Sequence, residues 1–143
     1  MIFRWARILR DDAGLLLEAW LALLLTDLAL RFLGVPAVNR CIHRRARGRS
    51  ESLDNAKLIS LRQAVTRAAR RQPWQMRCLP QSLALAWLLA GRGVTTDLQF
   101  GVRSIDGKLQ AHAWLEYDGR SLDTQPDFPL RFQKLKPASD QAH

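Results

Sequence analysis

The sequence predicts an α+β fold in which helices come first and a small antiparallel sheet follows. Up to residue 90, leucine and alanine fill long runs that are interrupted at Gly34 and Pro36, around Gly48 and at Pro73. From Val94 the composition turns toward β-branched and aromatic residues with partial alternation, punctuated by Asp106-Gly107 and Asp118-Gly119, dipeptides typical of hairpin turns. With 143 residues and no internal repeat, the chain is long enough to bury a core of its own as one domain.

Composition narrows the class further. A hydrophobic share of 48% and five tryptophans argue against disorder. Twenty-two Lys and Arg against 13 Asp and Glu give a formal charge of +9, which attracts phosphates, anionic lipid headgroups or acidic peptides without choosing among them. The two cysteines, Cys41 and Cys78, need not pair in a chain this apolar.

Leu15 to Leu33 reads as the first helix, free of Gly and Pro until Gly34 and Pro36 stop it. At about 100° per residue Asp27 and Arg31 project together and Glu18 from the opposite side, which leaves apolar surface nearly all round. An internal core helix accounts for such a surface; a docking face for a partner or a membrane is the alternative. Arg4, Arg7 and Arg10 ahead of the run raise a signal peptide or anchor, but Asp11 and Asp12 follow at once and no small-residue cleavage site is evident. The longest uncharged stretch, Ala19 to Thr26, falls well short of the roughly 20 residues of a spanning helix. A cytoplasmic protein without a stable membrane span is the expectation.

Arg40, His43, Arg44, Arg45, Arg47 and Arg49 cluster around Gly48 and read as a solvated basic linker. No aromatic residue is interleaved to stack on bases, so nucleic acid is not the expected partner. Ser52 and Asp54 then supply a helix start, and Leu58, Leu61, Val65 and Ala68 recur at helical spacing until Pro73. Trp74 either packs in the core or walls a site. A further helix runs from Leu79 to about Ala90 and closes on Gly91-Arg92-Gly93. Strands are expected at Val94–Val102, Leu109–Tyr117 and Arg120–Gln125, the last ended by Pro126. Three regions follow: an apolar helix and basic linker over 1–49, a catalytic domain over 50–132 and a loose tail over 133–143.

Within this frame Cys78 stands out. Pro80 belongs in a first helical turn, where its missing N–H has no intrahelical partner, so Cys78 falls at or next to the N-cap of the helix that follows. A sulfur there meets the positive end of the helix dipole and unsatisfied backbone donors, which favour thiolate. Of the histidines, His43 lies in the basic linker and His143 at the terminus, whereas His112 lies inside a strand between Ala111 and Ala113. If Asp118-Gly119 is a two-residue type I′ turn, Tyr117 pairs with Arg120, Glu116 with Ser121, Leu115 with Leu122 and Trp114 with Asp123. Paired residues share a face, and so do residues two apart, so Asp123 lies on the face of His112 one diagonal away. Glu116 is nearer the turn and Asp127 follows a proline, which makes Asp123 the better partner for the imidazole.

Cys78, His112 and Asp123, in that order, supply the nucleophile, base and orienter of a papain-like thiol site. The competing reading makes Cys78 a small buried hydrophobe and His112 a satisfied core histidine. No C-x-x-C or H-x-x-x-H spacing and no phosphate-cradling glycine loop occur, so neither metal nor cofactor is expected.

Trp74, Arg77-Cys78-Leu79, Ser82-Leu83-Ala84, Leu88-Leu89, Gly93-Val94, Gly101-Val102 and Ala111-His112-Ala113-Trp114-Leu115-Glu116 with Gly119 together resemble the transglutaminase-like protease of lasso peptide biosynthesis. The resemblance runs from about Ser52 to Phe132. It implies a papain-like or transglutaminase-like fold and a cysteine protease that removes the leader from a precursor peptide, with catalytic roles for Cys78, His112 and Asp123. Some such proteases carry a fused winged-helix leader-recognition domain. The first fifty residues here show no strands and match the stand-alone form, which implies a separate leader-recognition protein as partner, with the cyclase that closes the macrolactam as a further one. Gln75 and Gln81 are candidate side-chain oxyanion donors. A transglutaminase-like acyltransferase and a non-catalytic basic binding module are the alternative readings.

Overall fold

Runs of leucine and alanine propagate helix until a glycine, a proline or a polar cap intervenes, and the chain follows that rule more continuously than its charge pattern suggests. The computed structural model describes residues 2–47, 54–71, 78–122 and 133–134. Among these it contains helices α1 (Ile2–Leu33), α2 (Val35–Ala46), α3 (Asn55–Arg70) and α4 (Cys78–Ala90), then strands β1 (Asp97–Ile105), β2 (Lys108–Tyr117), β3 (Arg120–Ser121) and β4 (Gln133–Lys134). The chain divides into a helical unit, Met1–Thr95, and a sheet unit, Thr96–His143.

In the helical unit α1 begins well before Leu15, because no proline precedes it and a single Gly14 does not halt a helix of 32 residues. Ala19, Ala22, Leu23 and Thr26 are buried on one side, where α1 packs against α3 and α4. Leu17, Leu21, Leu25, Leu28 and Phe32 lie exposed on another, so the helix is a core element on one face and bare on the next. Two of the charges that interrupt its apolar run are answered locally: Asp27 pairs with Arg31 at 3.1 Å, and Glu18 receives both terminal nitrogens of Arg92 at 3.2 and 3.3 Å. Counting uncharged residues alone therefore understated the helix. By length and composition Ala13–Leu33 is apolar enough to cross a membrane, and 22% of that window is buried within the protein.

From Arg40 to Arg45 the basic stretch expected to be a linker is instead the second half of α2. Pro36 opens that helix in its first turn, and Val38, Ile42 and Ala46 recur every fourth residue to give it a buried stripe. Its charges are correspondingly placed. Arg45 is not simply solvated: its guanidinium lies 4.3 Å from the centre of the Trp87 ring on α4, a cation–π contact.

Asp54 caps α3 by accepting the Ala56 N–H at 3.1 Å. Leu58, Leu61, Ala64, Val65 and Ala68 form its buried face. At the end of α4, Gly93 takes φ 82°. Gly93 N–H then donates to Ala90 and Val94 N–H to Leu89, each at 3.0 Å, the paired bonds of a Schellman cap. Val94 is consumed by that cap and buried with it, so the first strand starts at Asp97 rather than Val94.

The sheet unit is built by counting from two tight turns. Asp106 and Gly107 have φ 52° and 77°, and Asp118 and Gly119 have φ 52° and 76°, the positive values at both central positions that a type I′ turn requires. The strand order is β3-β2-β1-β4, all neighbours antiparallel. The tail expected to be loose contributes Gln133 and Lys134 as an edge strand against Val102 and Gly101. Two residues are too few to show alternation, while the open edge of β1 presents backbone donors and acceptors to any strand that reaches it.

Candidate active site

Cys78 is the first residue of α4 in the helical unit. Pro80 falls two positions later and is buried, within the first turn that tolerates proline. The backbone N–H groups of that turn have no partners inside the helix and carry the positive end of its dipole. A thiolate or an oxyanion placed there is favoured for the same reason. Leu83, Ala84, Leu85, Ala86, Leu88 and Leu89 are buried behind it, so the start of α4 is anchored by an apolar body.

His112 sits on β2, an interior strand of the sheet unit flanked by β1 and β3. It is half-buried, and its ring stacks on that of Trp114 with centroids 6.0 Å apart and planes inclined by 17°. Trp114 is 1% exposed and donates its indole N–H to Glu116 at 3.1 Å. Across the strand His112 pairs with Gly101, which brings no side chain to the face the imidazole occupies. Gln99 pairs with Trp114 and stands on that same face. The sequence reading did not single out Gly101 or Gln99 as site residues. The Asp106-Gly107 turn contained the signal, since counting back from a two-residue turn pairs Gly101 with His112 and Gln99 with Trp114.

The second hairpin has the register deduced from its turn. Tyr117 pairs with Arg120 and Glu116 with Ser121, and Leu122 N–H donates to Leu115 at 2.9 Å one step further along. Asp123, the next residue, lies outside the described residues, as do Trp74, Gln75, Asp127 and His143. Glu116, a competitor for the role of orienter, is occupied by the Trp114 indole. Cys41 is an exposed free thiol on α2. Gln81 is half-buried in the first part of α4.

Cys78 thus opens a helix of the helical unit, and within the sheet unit the His112 imidazole is held flat against a buried indole. Among the described residues no group of three or more His, Cys, Asp or Glu is placed to hold a metal ion. Cysteine and imidazole together are the parts of acyl transfer through a thioester.

Residues 22–136 match the family model described as Transglutaminase-like superfamily, a range that includes Cys78, His112 and Asp123. It also takes in α2 and part of α1, so those helices belong to the matched region. No curated protein and no solved structure matches the chain.

Proposed function

The chain belongs to the transglutaminase-like superfamily, and on that premise we propose that it is a cysteine endopeptidase that removes the leader from a lasso peptide precursor. The observation that carries the proposal is Cys78 as the first residue of α4 in a chain whose superfamily match also spans His112. Cytoplasmic action, with a separate leader-recognition protein and the cyclase as partners, is part of the same reading. The bare leucine face of α1 is the surface it assigns to the recognition protein.

In this mechanism His112 takes the proton of Cys78, and the sulfur attacks the carbonyl at the leader–core junction. Collapse of the tetrahedral intermediate breaks the peptide bond. The imidazolium returns its proton to the leaving amine, and a thioester remains on Cys78. Water, deprotonated by His112, then cleaves the thioester and restores the thiol. Backbone N–H groups at the start of α4 serve the oxyanion. Asp123 fixes the imidazole tautomer, and Trp114 holds the ring plane.

The test mixes the chain with a candidate precursor and recognition protein and weighs the products. Hydrolysis yields two fragments, and Cys78→Ala abolishes them. The superfamily also includes acyltransferases; a product joined to an amine, with no gain of water, would assign the chain to that chemistry. Binding unchanged by Cys78→Ala, with no turnover by the unsubstituted chain, would make it a binding module.

A further inference from the structure

Lys57, Ser60, Ala64, Arg67 and Arg71 recur at helical spacing on and just past α3 and so share one side of it. Two clefts lie along that side within the helical unit. One, of about 240 Å³, is bounded by Lys57, Leu61 and Arg92. The other, of about 250 Å³, is bounded by Leu16, Gln63, Arg67 and Arg71. Both are also lined by Leu15 of α1 and Ser60 of α3, which makes them one groove. From Lys57 to Arg71 it runs about 21 Å at the helical rise.

The groove has an apolar wall and cationic ends. Arg92 at one end is already answered by Glu18. At the other end Arg67 and Arg71 stand one helical turn apart, both exposed, and neither forms an ion pair with a side chain of residues 13–47, 54–71 or 79–122. Like charges at that spacing repel, so the pair is stabilised by an anion between or beside them. Guanidinium groups bind carboxylates through two parallel hydrogen bonds. The groove's length suits about six residues of extended chain at roughly 3.3 Å each. Among the described residues its lining holds no aromatic side chain on which a base would stack, and its apolar wall suits alternate aliphatic side chains.

We propose that this groove binds an acidic stretch of the peptide substrate, away from the bond that is cleaved. Arg92, just beyond the end of α4, meets Lys57 near the start of α3, so the two helices run in opposite directions. The Arg67 and Arg71 end is therefore the end at which Cys78 opens α4. A peptide held by the groove and leaving past Arg71 heads toward that end. That the occupant is the substrate rests on the proteolytic reading above; the preference for an acidic peptide rests on the groove alone.

Binding is measured on the full chain carrying Cys78→Ala, so that no turnover intervenes. The probe is a fluorescein-labelled twelve-residue peptide of alternating glutamate and leucine, followed by anisotropy. Competitors are the lysine–leucine counterpart, single-stranded oligothymidylate and phosphatidylserine vesicles. The groove predicts that Arg67→Glu with Arg71→Glu weakens the acidic peptide at least about tenfold. Arg40→Glu with Arg44→Glu, an equal change in net charge at exposed sites on α2, changes it by less than about twofold. Arg67→Gln with Arg71→Gln must show a loss in the same direction with unchanged far-ultraviolet circular dichroism, which guards against misfolding. Equal weakening by both charge-reversed pairs, no preference for glutamate over lysine, or tighter binding of oligothymidylate or vesicles overturns the proposal. Intact binding with failed cleavage would count against the protease reading alone. Cleavage of the acidic precursor with unaltered kcat/KM in the Arg67 and Arg71 pair would count against the groove alone.

Discussion

Trp114 links two residues on its own face of β2, stacking on His112 and donating its indole N–H to Glu116. The Glu116 carboxylate therefore satisfies a buried donor. Glu116→Ala leaves that N–H unpaired and is expected to lower stability by about 1–3 kcal/mol, read by urea unfolding. Glu116→Gln keeps an acceptor oxygen and should unfold close to the unsubstituted chain. The same pair of positions separates the candidate orienters. With Asp123 as orienter, Asp123→Asn lowers kcat by roughly three to four orders of magnitude, through the wrong imidazole tautomer, while Glu116→Gln leaves it nearly unchanged. The opposite ranking would transfer the role to Glu116. Gly101 adds a steric test: Gly101→Val puts a branched side chain opposite His112, and it should depress activity more than stability. Cys41 is exposed on α2, and Cys41→Ala should leave turnover as it was.

Helices and hairpins differ in how openly the sequence displays them. The second hairpin was readable to the residue, because a two-residue Asp-Gly turn fixes every pair by counting, and Glu116 with Ser121 follows. One extra residue inserted between Asp118 and Gly119 should therefore shift residue 123 to the other face, abolishing cleavage while circular dichroism keeps its sheet signal. The Cys78 position was readable for a similar reason, since Pro80 is confined to a first turn. Helix α2 was hidden by composition: its basic residues read as loop, although Val38, Ile42 and Ala46 carried a period of four. Strand β1 was displaced because Val94 looks like a strand residue but closes the cap of α4. Strand β4 is too short to leave a pattern, and its pairing depends on the free edge of β1. The sequence also undersold α1 before Leu15, where Gly14 sits exposed with nothing within 4 Å of the place a Cβ would take. Gly14→Ala is expected to stabilise the helical unit by about 0.5–1 kcal/mol, measured by denaturant midpoint.

For the whole molecule, charge and apolar surface set the terms of association. A net charge of +9 and the exposed Arg67 and Arg71 predict that cleavage of an acidic precursor slows as salt rises, chiefly through KM. The α1 leucines call for a gentler test than truncation. Removing everything before Ser50 would strip α3 and α4 of the helix packed on them, so loss of function would say nothing about docking. Leu17→Lys with Leu25→Lys alters side chains that are 59% and 58% exposed, and it should leave the fold intact while weakening capture of the recognition protein. Hydrolysis through Cys78 is read out by intact-mass analysis of a reaction containing precursor, recognition protein and the chain. Two fragments whose masses sum to that of the precursor plus one water are expected with the unsubstituted chain, and neither with Cys78→Ala. Fragments that persist in Cys78→Ala, or a precursor left whole by the unsubstituted chain in the presence of its recognition protein, would contradict it.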